Sequence, residues 1–123
     1  MPKILVVDDA EDLRSLLKLQ LETEGFSVDE AESASQTMKK VSRHPYDLVL
    51  LDMHLPDSPG TEVLRYMSYH QIRCKVIVIT GVVGLETAID CVSFGASDYI
   101  TKPFDMEYLL ASISKVLNLP RAA

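Results

Sequence analysis

The stretch Asp47-Leu48-Val49-Leu50-Leu51-Asp52-Met53-His54-Leu55-Pro56 decides the fold. A strand with one wet face alternates apolar and polar residues. Leu48 to Leu51 do not alternate, so they read as a strand buried on both faces, the signature of a parallel sheet. An acid, Asp52, follows at once, and Pro56 and Gly60 prevent any long extension. Two other runs repeat this design: Ile4-Leu5-Val6-Val7 before Asp8-Asp9, and Val76-Ile77-Val78-Ile79 before Thr80-Gly81. Weaker strands are expected at Phe26 to Ala31 and at Tyr99-Ile100.

Amphipathic stretches fill the gaps. Leu13, Leu16, Leu17 and Leu21 recur at helical spacing, with Gly25 placed to end the helix. Ser33 and Gln36 form a capping box for a second helix, with Met38 and Val41 inward. Gly60 opens a third, with Val63, Leu64 and Met67 inward. Leu85, Ala88, Ile89 and Val92 mark a fourth, stopped near Gly95. Asp105 caps a fifth that carries Leu109, Leu110, Ile113, Val116 and Leu117. The chain therefore reads as five βα units, a three-layer α/β sandwich with right-handed crossovers. A flavodoxin-like sheet with strand order 2-1-3-4-5 is expected.

The 123 residues suit one domain, and 47% hydrophobic content with 24% charge is ordinary for a folded chain. The net charge of −6 disfavours nucleic acid and anionic lipid as partners of this domain. No apolar stretch is long enough to span a bilayer, and no secretory leader is visible. Cys74 and Cys91 belong to no metal-binding or redox motif, which fits reduced thiols and a cytoplasmic location. Lys39, Lys40 and Arg43 read as a solvated helix face, and His44 and His70 as surface residues. Tyr66 and Tyr69 are expected at the core margin.

In an open parallel sheet, ligands bind beyond the carboxyl ends of the strands. The residues found there are Asp8, Asp9, Asp52, Thr80 and Lys102. Three carboxylates in one crevice repel, and a single lysine does not balance them. A hard divalent cation would, and Mg²⁺ suits a few carboxylates with a phosphate ligand. The loop after the first strand is acidic rather than glycine-rich, so a phosphate-cradling nucleotide site loses its support. Carboxylate, hydroxyl, lysine and metal together suit phosphoryl transfer to a carboxylate. Asp8 or Asp9 alone could be a helix cap, Thr80 alone a strand residue, and Lys102 alone a surface charge. Their joint placement favours a site.

These residues resemble the receiver domains of bacterial two-component response regulators. The resemblance rests on Ile4 to Asp9, Asp47 to Pro56 with Gly60, Val78 to Gly81, and Gly95 to Phe104. It covers nearly the whole chain, with residues 1–119 as the domain and 120–123 as a tail or the start of a linker. The resemblance implies that Asp52 accepts a phosphoryl group from a phosphohistidine on a sensor histidine kinase or phosphotransfer protein. Asp8, Asp9 and Asp52, with the main-chain carbonyl of His54, would hold Mg²⁺, with Mn²⁺ as a substitute. Thr80 and Lys102 would bind phosphoryl oxygens. The bond before Pro103 would be cis. Thr80 and Tyr99 would form the switch, and the fourth helix, fifth strand and fifth helix the signalling face toward an output domain, a target protein or a second copy. His54 and Val82 would flank the path of the attacking water and tune dephosphorylation; His54 could orient that water or obstruct it, with obstruction or neutrality expected. Pro59 departs from the commoner acid and should stiffen its loop.

On this view the domain assists its own phosphorylation and hydrolysis but is not an enzyme toward other substrates. Two alternatives remain at this level. One is a haloacid-dehalogenase-type phosphatase, whose Asp nucleophile belongs to a D-x-D after the first strand; here that turn is Asp8-Asp9-Ala10. The other is a receiver-like interaction domain that is never phosphorylated.

Overall fold

The apolar runs form the strands. A computed structural model describes residues 1–81 and 85–120, without the side chains of 85–87. The order is β1 (Lys3–Val7), α1 (Glu11–Thr23), β2 (Ser27–Ala31), α2 (Ala34–Arg43), β3 (Leu48–Leu51), α3 (Gly60–Tyr69), β4 (Lys75–Thr80), α4 (Leu85–Ser93), β5 (Asp98–Thr101) and α5 (Met106–Val116). All four pairings are parallel, as the alternation of strands and helices favours, and the sheet order is the expected β2-β1-β3-β4-β5.

Each buried strand serves two cores. Leu5, Val7, Val49, Leu51, Val76 and Val78 face one cluster, with Ala34 and Val41 of α2, Val63, Leu64 and Met67 of α3, and Cys91 of α4. Their neighbours Ile4, Val6, Leu48, Leu50, Ile77 and Ile79 face the other, with Leu17 and Leu21 of α1 and Leu109 and Ile113 of α5. The period-two geometry of a strand makes this division, and the uninterrupted apolar runs are its consequence. Each fully buried Leu, Ile or Val contributes roughly 1.5–3 kcal/mol, which commits the sheet to a fixed register.

Two helices differ from their sequence pattern. Leu16 points outward from α1 and is 51% exposed, while Arg14 takes a buried place on the inner side with Leu17 and Leu21. On α4, Ile89 and Val92 are exposed and Cys91 is fully buried. Tyr69 is also exposed rather than marginal, whereas Tyr66 packs on the core. The Ser33 cap forms, with its hydroxyl accepting from the Gln36 amide. The Gln36 side chain, however, accepts from the Glu32 amide one residue earlier. Gly25 and Gly95 adopt φ of 97° and 100° after α1 and α4, where a side chain would be strained. Among the described residues, no helix is long and apolar enough to cross a membrane.

Candidate functional site

Parallel register brings the strand ends level. Val7 pairs with Ala31 on one side and with Leu51 on the other, and Leu51 pairs with Val78. Asp8 and Asp52 therefore leave adjacent strands at the same height. The Asp8 amide donates to the Ala31 carbonyl and the Asp52 amide to the Val7 carbonyl, which continues the ladders into the loops. Thr80 ends β4 opposite Thr101, and the Lys102 amide donates to the Thr80 carbonyl. Lys102 thus arrives beside Thr80 and directs its stem back across the sheet edge. The Lys102–Pro103 peptide bond is cis.

Burial sets the electrostatics. Asp8 is 3% exposed, Asp52 5% and Thr80 0%, while Asp9 lies at the surface. One oxygen from each of the three carboxylates lies within 4.8 Å of the others. Lys102 Nζ stands 2.5 Å from Asp8 Oδ2 and 3.2 Å from Asp52 Oδ2. Burial alone would push the Lys102 ammonium down, but its hydrogen bond to Asp8 and the charge of Asp52 prevail and raise it. The remaining oxygens are fixed by the chain: Asp8 Oδ1 accepts from the Ala10 amide at 2.9 Å, and Asp52 Oδ1 from the His54 amide at 3.1 Å.

Three hard oxygen donors against one ammonium leave a local excess of negative charge. The donor set fits a small divalent cation, since buried carboxylates are tolerated only when paired or coordinated. It contains no soft sulfur or imidazole ligand that would favour zinc or copper.

Several parts of the support were not visible in the sequence pattern. The buried Arg14 donates from Nη1 to the main-chain carbonyl of Asp8 at 2.7 Å, and its Nε pairs with Glu30 at 3.3 Å. It ties α1 and β2 to the acidic loop. The only sequence signal for it was a charge on the stripe that continues through Leu17 and Leu21. Gly60 is required where α3 begins. A Cβ there would lie 2.7 Å from the Asp52 carbonyl oxygen, 2.9 Å from Met53 Cα and 2.5 Å from Met53 Cε. The Gly60 amide donates to the Met53 carbonyl, and His54 bridges to Pro59, so the turn after Asp52 is closed on itself. Tyr99 is half-buried on β5 and packs against the core that holds Met53 and Cys91. His54 is exposed beside the crevice, and Val82 lies outside the described residues.

The family model for the response regulator receiver domain matches residues 4–114. The chain belongs to this family. Among its relatives is the cell cycle response regulator CtrA of Brucella ovis, 30% identical over 116 residues, which make up 94% of this chain and 50% of that protein. The chain thus spans about half the length of such relatives. A CheY-like receiver domain from Methanospirillum hungatei is 35% identical with a TM-score of 0.90, covering 96% of this chain and 94% of that one. The response regulator TrrA of Thermotoga maritima, solved in complex with Mg²⁺-BeF, is 33% identical with a TM-score of 0.85, covering 94% and 99%. With its β2-β1-β3-β4-β5 sheet, the chain is a response regulator receiver domain, a phosphorylation-activated signalling module of the two-component type.

Proposed function

We propose that Asp52 is the phosphoacceptor of this receiver domain and that Lys102 and Thr80 bind the transferred group. The observation that carries this is the placement of Asp52: a buried carboxylate at a central strand end, with Lys102 Nζ at 3.2 Å and Thr80 at a neighbouring strand end. A carboxylate oxygen of Asp52 attacks the phosphorus of a phosphohistidine on a sensor kinase or phosphotransfer protein. The P–N bond breaks, the imidazole leaves with its electron pair, and an acyl phosphate remains on Asp52. Asp8, Asp9, Asp52 and the His54 carbonyl would hold Mg²⁺ or Mn²⁺, which would supply positive charge for the transferring oxygens.

Lys102 then exchanges its carboxylate partner on Asp52 for a phosphoryl oxygen, and the Thr80 hydroxyl donates to another. Movement of Thr80 frees space beside β5 that the Tyr99 ring enters. The α4-β5-α5 face reads out this change. It carries exposed Ile89, Val92 and Tyr108 and a cavity of about 360 Å³ lined by Tyr99, Phe104 and Tyr108. An output domain, a target protein or a second copy of the domain docks there. Water later hydrolyses the acyl phosphate, with His54 at its approach, and the signal resets. The domain does not turn over other substrates, and it works in the cytoplasm.

The test is incubation with a small acyl-phosphate donor and Mg²⁺, read by intact mass. One added phosphoryl group, lost in hydroxylamine and absent in Asp52→Asn, is expected. Retained labelling in Asp52→Asn overturns the assignment. Sustained turnover of unrelated phosphomonoesters would instead indicate a phosphatase.

A further inference from the structure

The turn after Asp52 has an anchor outside itself. Asp57, at its exposed tip, accepts from the Ala34 amide through Oδ1 and from the Ser35 amide through Oδ2, both at 2.9 Å. These are the first two amides of α2, which lack intrahelical partners. The third, of Gln36, is already satisfied by Ser33 Oγ at 3.1 Å. Asp57 and Ser33 therefore divide the capping of one helix. Ser33 does so from the segment that leads into α2. Asp57 does so from a loop 22 residues further along the chain.

Asp57 has no structural need to reach α2 if a cap is all that is required, because a local residue could serve. What the long-range contact adds is a fixed position for the turn. Inside the turn, the contacts include the His54–Pro59 bridge, the Gly60 amide on the Met53 carbonyl and the His54 amide on Asp52 Oδ1. All three lie at its base, and none of them holds the tip of the turn, residues 55–58, in place. The Asp57 tether does. The Ser35 and Ala34 amides also hold the Asp57 carboxyl below its ordinary range, which fits an ionised anchor.

We propose that Asp57 is a positioning residue for the metal and phosphoryl site. It clamps the 54–59 turn to the start of α2 and thereby fixes where the His54 carbonyl and ring stand beside Asp52. This rests on the reading of Asp52 and its neighbours as a Mg²⁺ and phosphoryl site. Direct supporting partners of metal ligands commonly matter by about ten- to a hundredfold in affinity, and Asp57, which acts through the turn and touches no ligand itself, should matter less.

The experiment compares the parent with Asp57→Ala, Asp57→Asn and Ser33→Ala. Ser33→Ala removes an α2 cap of similar kind without touching the turn, so it reports the cost of capping alone. Mg²⁺ is titrated directly, the acyl-phosphate lifetime is measured after labelling, and amide exchange is followed at residues 34–36. The expected result is weaker Mg²⁺ binding in Asp57→Ala, by about three- to tenfold, with an altered lifetime. Asp57→Asn, which keeps one acceptor oxygen, should fall between. Ser33→Ala should lose helix protection yet bind Mg²⁺ like the parent. Equal Mg²⁺ affinity and lifetime in Asp57→Ala and the parent overturns the proposal, as does an equal loss in Ser33→Ala. A parent that binds no Mg²⁺ overturns both this proposal and the reading on which it rests.

Discussion

Replacing Lys102 by Met keeps the apolar stem and removes the single positive charge from the acidic crevice. The ammonium faces two buried carboxylates at 2.5 and 3.2 Å, with side-chain exposures of 5% and 6%, and is itself 25% exposed. At an effective dielectric of about 20, these contacts correspond to gross attractions of roughly 7 and 5 kcal/mol. Most of that is offset by desolvation, and breaking a buried pair typically costs about 3–5 kcal/mol. The partial exposure of Lys102 places the expected loss near the low end, about 3 kcal/mol. With an unfolding entropy of roughly 0.26 kcal/mol/K for a chain of this length, Tm should fall by about 12 °C in EDTA. Mg²⁺ should recover more of this in the variant than it adds to the parent, because the competing ammonium is gone. A ligand at about a hundred times its Kd adds roughly 2.7 kcal/mol, so the difference is measurable by calorimetry. A Lys102→Met protein with unchanged Tm in EDTA, or with the parent's Mg²⁺ response, would refute this electrostatic account.

Gly60→Ala should destabilise the protein by about 1–3 kcal/mol, because its Cβ meets the backbone of Asp52 and Met53, not only a flexible side-chain tip; urea unfolding checks this, and a stabilised variant would contradict it. Tyr46 donates a 2.6 Å hydrogen bond to Asp29, and this bond holds the Asp29 carboxyl below its ordinary value of 3.8. The resulting stability is present above that value and fades as pH falls through the lower folded value. Tyr46→Phe should therefore lose part of its deficit relative to the parent in acid, and parallel stability curves down to low pH would argue against the contact. Burial, with the charge of Asp47 second, pushes the Cys74 thiol up to about 12. Native alkylation by iodoacetamide at pH 8 should be far slower than in denatured protein, since the thiolate fraction falls roughly a thousandfold. Equal rates in the two states would show that Cys74 is not so shielded.

The sheet and its order were legible in the sequence because strands buried on both faces leave uninterrupted runs, such as Leu48 to Leu51. The residues after those runs then marked the crevice. Helical rotation was less legible. An apolar stripe on α1 admits Leu13, Leu16 and Leu17 equally well, but the protein buries Arg14 and turns Leu16 outward. Arg14 goes inside because the Asp8 carbonyl, Glu30 and Glu32 wait for it, and those partners belong to other elements. On α4, Ile89 and Val92 mimic a core stripe while being exposed. Asp57 had no local signature, since its partners at Ala34 and Ser35 become neighbours only when α2 and the turn after β3 are assembled. What a strand end exposes is written in adjacent residues; what braces it from another element is not.

The residue that carries the phosphoryl group decides whether Asp52 is the acceptor. After labelling with an acyl-phosphate donor, borohydride reduces the aspartyl phosphate to homoserine, and peptide mass mapping identifies the residue changed. Conversion at Asp52 alone, dependent on Mg²⁺, is expected. Conversion at Asp8, Asp9 or any other acid, with Asp52 intact, would contradict it.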